Sequence, residues 1–251
     1  MSKNTKKILL TTFCALVLVA GSVMGTLAYL TSTDQVNNTF TVGKVKITLD
    51  EAAVKYDDFT NSYIVDTKAD PARVKANTYK VLPGMEIAKD PTITVIKGSE
   101  KAYVGAVVKL TVKDIKNTPL WNGGYVGLAK FISGGIADGE WTADGLVFTS
   151  PDGKVTLTQS MNITDSAEED DVITFTYVFK DVQDASSADV KLVLFEKLST
   201  KVEADKWTNE ALAAMGDFKI DVDAYAVQAA GFADANTALQ TAFNASGATI
   251  F

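Results

Sequence analysis

Ile173-Thr174-Phe175-Thr176-Tyr177-Val178-Phe179 places a large apolar side chain at every second position. Successive side chains of a strand point to opposite faces. This run therefore turns Ile173, Phe175, Tyr177 and Phe179 to one face, with Thr174 and Thr176 on the other. The same period recurs outward along the chain. Val45, Ile47 and Leu49 alternate with Lys44, Lys46 and Thr48, and Ile93 and Val95 alternate with Thr92 and Thr94. Val108, Leu110 and Val112 alternate with Lys109, Thr111 and Lys113. Phe218, Ile220 and Val222 alternate with Lys219, Asp221 and Asp223, and the pattern continues to about Val227. Leu192–Phe195 is apolar on both faces and reads as a central strand.

Turn chemistry separates these runs. Asp144-Gly145 and Asp152-Gly153 are hairpin dipeptides, because glycine tolerates positive φ. They bracket Leu146–Phe148 and predict a small meander into Val155 and Leu157. Pro83-Gly84 predicts a turn ahead of the Ile93 strand. Tyr125–Ile132 fits a short helix or a loop. Two helices are predicted. Thr208–Met215 has a capping Thr and a stopping Gly216; Asp234 to about Asn244 starts on a capping acid and sets Phe232, Leu239 and Phe243 near one stripe. Residues 51–80 carry mixed charge and little periodicity, and read as a long insertion or connection. Many strands, few helices and no repeated βα unit predict an all-β antiparallel sandwich with a few short peripheral helices.

The 251 residues hold 24 Lys and Arg against 31 Asp and Glu, a formal charge of −7. The single arginine is Arg73. So acidic a chain, without lysine clusters, is unsuited to nucleic acid. There is no histidine, which removes Ser-His-Asp and Cys-His catalysis and His-based zinc sites. The single cysteine, Cys14, rules out an internal disulfide. No nucleotide-binding glycine motif occurs, and no cofactor is expected.

The N-terminus reads as an export signal. Lys3, Lys6 and Lys7 precede an apolar run from Ile8 to Ala20, and Thr26-Leu27-Ala28 offers the small side chains of a signal-peptidase site. Cleavage between Ala28 and Tyr29 takes away three lysines and no acid, leaving residues 29–251 as one domain with a charge of −10. The competing reading is an uncleaved anchor, since Ile8–Leu30 is long enough to span a bilayer. In either case the membrane is reached only through this segment.

Gly25-Thr-Leu-Ala-Tyr-Leu-Thr31 followed by Asn38-Thr-Phe-Thr-Val-Gly-Lys-Val45 resembles the TasA/camelysin group of secreted bacterial proteins. Leu82–Pro91, Thr92–Val95, Ala102–Val104 and Ile220–Gln228 extend the resemblance, though only the N-terminal part is specific. The resemblance implies processing by a SipW-type signal peptidase, a jelly-roll-like sandwich, an extracellular or cell-surface location, and assembly into matrix fibres. It also implies that the mature N-terminal segment adds as a strand to a neighbouring copy or a related fibre subunit. The donor segment is then Tyr29–Gly43, with Tyr29, Leu30, Val36, Phe40 and Val42 as anchors. The plainer reading is a first strand paired within its own sheet.

Two rivals come from other classes. Some camelysin-like members are metal-dependent cell-surface peptidases; without histidine that activity here needs a carboxylate-only metal site. A monomeric surface adhesin or binding module is the other. Glu168–Asp171 and Asp221-x-Asp223 match no calcium loop and read as solvated acids. Trp121, Trp141 and Trp207 read as core residues ahead of a sugar platform. No catalytic pair is identified, and the chain is read as a structural protein.

Overall fold

A computed structural model describes residues 44–121, 131–133, 142–144, 147–162, 169–201 and 205–245. In chain order its strands are β1 (Ile47–Ala52), β2 (Val54–Asp57), β3 (Ser62–Val65), β4 (Arg73–Val74), β5 (Glu86–Ala88), β6 (Thr92–Val95) and β7 (Ala102–Lys113). They continue with β8 (Ile132–Ser133), β9 (Thr142–Asp144), β10 (Val147–Thr149), β11 (Val155–Asn162), β12 (Asp170–Gln183), β13 (Val190–Val193), β14 (Lys197–Ser199) and β15 (Lys219–Gln228). Among the described residues there are two α-helices, α1 (Asn209–Met215) and α2 (Ala235–Ala245).

The strands form three sheets. A six-stranded sheet runs β15-β7-β12-β11-β10-β9, a four-stranded sheet runs β13-β6-β1-β4, and a five-stranded sheet runs β2-β3-β5-β14-β8. Every pairing is antiparallel except β3 with β5. The expected all-β sandwich is the observed architecture. Its core lies between the inner faces: Ile93 and Val95 meet Val104, Ala106, Val108, Leu110, Ile173, Phe175 and Tyr177. Fully burying one such large apolar side chain contributes about 1.5–3 kcal/mol.

The alternation on β7 and β12 misled in one respect. Thr174, Thr176 and Val178 are buried too. The outer face of this sheet packs on α2, where Tyr103, Val107 and Val178 meet Ala238, Leu239 and Phe243. Alternation tells that one face is apolar; it does not tell whether a helix covers the other. Phe232 is off the stripe expected for it and exposed, because α2 begins only at Ala235 and helical spacing does not reach back to it. Asp234 caps α2 by accepting from the Thr237 N–H at 2.8 Å, which holds its carboxyl below the usual range.

Three further expectations are corrected. Leu192–Phe195 is not a central strand: β13 is the edge of its sheet, Val193 is 44% exposed, and Leu194 and Phe195 leave the strand to enter the core. Residues 51–80 are not a featureless insertion. They form the β2–β3 hairpin, turned at Asn61 (φ 50°), and then β4. Their periodicity is weak because these strands are only two to four residues long. Asp171 is not solvated; it is buried and accepts from the Ile115 N–H at 2.8 Å.

Both expected turn glycines within the described residues, Gly84 and Gly153, have positive φ. Thr208 caps α1 through its hydroxyl, accepting from the Ala211 N–H at 3.1 Å, and Gly216 ends it.

Candidate functional site

A cleft of about 1220 Å³ opens on one side of the sandwich. One wall is β1 at Leu49–Glu51, the other is the approach to and first half of β15, Phe218–Val222. The extended segment 75–82 and helix α1 border it, and the buried Ile87 and Leu198 reach it from the core.

Among the described residues, two strands bordering the cleft have no paired neighbour along all or most of that side. Among the described residues β15 pairs only with β7. β1 pairs with β6 along Ile47–Asp50, but with β4 only at Glu51 and Ala52. The two strands run oppositely beside each other. Lys44 accepts from Glu100 N–H and Ala229 donates to Lys101 O, so the start of β1 and the end of β15 share the 100–101 corner. Leu49–Glu51 and Phe218–Val222 lie toward the other ends, where the cleft is. The apolar residues facing it, among them Leu49, Val81, Leu212, Ile220 and Val222, pack on the core yet remain only partly buried. A sandwich whose inner face is half-covered along one side still has apolar surface to bury.

A polar cluster lies along the β1 wall. Arg73, the only arginine of the chain, bonds Asp50 through Nε and Asp90 through a terminal nitrogen at 2.9 Å, and also reaches the carbonyls of Asp50 and Asp90. Burial opposes the Arg73 charge, but the bonds to Asp50 and Asp90 outweigh it and raise its pKa. Asp90 also accepts from the Ala52 N–H at 2.6 Å. This planar fork fixes β4 and the 75–82 segment to the sheet, a geometry lysine's point charge cannot reproduce. Arg73→Lys is expected to lose about 1–2 kcal/mol despite keeping the charge, read as a lower urea midpoint. An unchanged midpoint would mean that charge alone holds the segment.

Beside it, Glu51 is 5% exposed and the Lys89 side chain 10%. Lys89 Nζ lies 2.5 Å from Glu51 Oε2 and 5.5 Å from the centre of the Tyr79 ring. Asn77 donates from Nδ2 to Glu51 Oε1 at 3.0 Å and to Ala52 O at 2.9 Å. Asn77 Oδ1 accepts from the Val54 N–H at 3.3 Å. Burial pushes the Tyr79 hydroxyl well above the ordinary tyrosine range, and its oxygen has no hydrogen-bond partner.

The signal-cleavage residues Ala28 and Tyr29, and the anchors Leu30, Val36, Phe40 and Val42, lie outside the described residues. So do Trp141 and Glu168. Trp207 is a core residue stacked on Phe131 at 5.3 Å, and Trp121 packs against the same core. Asp221 pairs with Lys219 at 2.8 Å and Asp223 is exposed. Among the described residues no three His, Cys, Asp or Glu side chains are grouped to hold a metal, and no helix is long and apolar enough to cross a membrane. Sequence reasoning missed the Arg73 fork and the Glu51–Asn77–Lys89 cluster. The one available signal was a lone arginine in a chain rich in acids. No family model, curated protein or solved structure matches the chain.

Proposed function

We propose that this is a secreted structural protein, a subunit or accessory of a bacterial extracellular fibre that assembles by N-terminal strand donation. In this reading a SipW-type peptidase frees Tyr29, and Tyr29–Gly43 of one copy adds at the cleft of the next. The observation that carries the reading is the half-covered cleft between the sides of β1 and β15 that are unpaired among the described residues.

An unpaired strand side presents N–H and C=O groups that a second chain satisfies. Main-chain bonds then give affinity, while alternate side chains enter apolar pockets. Length favours the match. β15 has ten residues, about 33 Å of edge, whereas the fifteen residues from Tyr29 to Gly43 extend to about 50 Å. The surplus bridges one copy to the next. Leu30, Val36, Phe40 and Val42 share one parity and so one face, suited to Leu49, Ile220 and Val222. Head-to-tail donation does not close on itself and yields filaments.

Electron microscopy of the purified chain beginning at Tyr29 tests this. Filaments that lengthen with concentration are the expected result. Monomeric particles at every concentration, with Tyr29 intact, would overturn it.

A further inference from the structure

We propose that Lys89 and Asn77 join in an intramolecular isopeptide bond, with Glu51 as the proton carrier. The chain has one cysteine and therefore no internal disulfide, so a covalent staple in this domain has to come from other side chains. The Glu51–Asn77–Lys89 cluster gathers an amine and a carboxamide around one carboxylate, the three groups that such chemistry uses.

A single carboxylate touches both the nucleophile and the leaving group. Glu51 Oε2 lies 2.5 Å from Lys89 Nζ, and Oε1 lies 3.0 Å from Asn77 Nδ2. The Asn77 carbonyl oxygen accepts from the Val54 N–H, which polarises the carbon to be attacked and stabilises the oxyanion that forms there. The Asn77 side chain is held by three bonds in all, to Glu51, Ala52 and Val54. Lys89 is confined between Glu51 and the Tyr79 ring. Positioning of this kind replaces a bimolecular encounter with an internal one.

A lysine in water is an ammonium and no nucleophile. Glu51 Oε2, 2.5 Å from Nζ, is placed to take the proton that the amine has to lose. The resulting amine and carboxylic acid are both neutral.

The step balances. Glu51 takes a proton from Lys89, and the Nζ lone pair attacks Cγ of Asn77. The new C–N bond forms as the carbonyl electrons move to Oδ1. A proton passes from the attacking nitrogen to Nδ2, the Cγ–Nδ2 bond breaks, and ammonia leaves. Glu51 then returns its proton to the ammonia and is a carboxylate again. Ammonium ion is the only by-product, and no oxidant or cofactor takes part. The product ties segment 75–82, which borders the cleft, to the strand junction at Lys89 beside β6.

Peptide mapping of the purified full chain tests this. The expected result is a branched tryptic peptide joining Ala76–Lys80 to Val81–Lys97, left uncut at the modified Lys89 and lighter than the sum of these two linear peptides by one ammonia. Lys89→Arg and Glu51→Gln are expected to give only linear peptides at full mass, with circular dichroism confirming that each variant folds. Linear peptides at full mass in the wild type would overturn the proposal. So would an ammonia loss that persists in Lys89→Arg, since that marks a succinimide at asparagine and not a cross-link.

Discussion

Gly105→Val is expected to cost about 3 kcal/mol and to detach α2 from the sheet, the upper end of what overpacking a core does. A Cβ at this position would lie 2.6 Å from a ring carbon of Phe243, 2.7 Å from the carbonyl oxygen of Tyr177 and 2.9 Å from a methyl of Leu239. The two side chains belong to α2 and shift only if the helix lifts. The carbonyl is backbone on the neighbouring strand β12, next to Val178, which pairs with Gly105 in the β7–β12 ladder, and cannot yield without breaking that ladder. Glycine here serves close approach: it lets Leu239 and Phe243 settle directly onto the strand. Lifting the helix exposes Tyr103, Val107 and Val178 together. Urea denaturation followed by tryptophan fluorescence and far-ultraviolet dichroism gives the size of the loss. An unshifted midpoint would mean that α2 is not seated as described.

Deleting Tyr29–Gly43 is expected to abolish filaments completely while leaving the melting temperature of the remaining domain nearly unchanged. The segment precedes β1, whose pairing with β6 begins only at Ile47. The described core draws its residues from Ile47 onward. Losing the donor therefore removes what the next copy receives and little of what holds this copy together. The acceptor side has a matching test. Val222→Asp places a charge on the wall of the cleft, where an arriving strand would have to desolvate it at a cost of several kcal/mol. In a copy with the donor intact, this variant is expected to stay monomeric but to cap the ends of wild-type filaments through its own Tyr29–Gly43. Filaments of normal length from either variant would remove strand donation from the account. A deletion that also unfolds the domain would show that the segment pairs at home.

The isopeptide and the filament stand or fall separately. A chain that polymerises without the cross-link loses only the staple, and a cross-linked monomer loses only the assembly.

Much of the fold was legible because its strands are long and patterned. The alternations at Ile173–Phe179 and Phe218–Val227 each marked a strand and the face it turns to the core. The caps at Thr208 and Asp234 worked because a helix end must satisfy its own N–H groups with nearby side chains, a local matter. The candidate site was not legible in the same way. Glu51, Arg73 and Asn77 lie in the stretch that reads as a long insertion or connection, and Lys89 and Asp90 lie beyond it, just ahead of the Ile93 strand. Each taken alone is an ordinary surface residue. They become a cluster only because β1 and β4 pair and Asp90 accepts from both the Ala52 N–H and Arg73.

The sequence by itself determined the strand-rich class, the burial of Phe175 and Tyr177, the positions of two helices, and the lack of histidine, disulfide and basic surface. These follow from residue type and from spacings of two and 3.6, which a chain carries without knowing its partners. Only the tertiary structure decided that β13 is an edge, that α2 covers the second face of β7, and that β15 and β1 leave a cleft between them. It alone brought one carboxylate against both a lysine and an asparagine. Such facts depend on which distant segments meet, and nothing in the local alternation of side chains encodes that meeting.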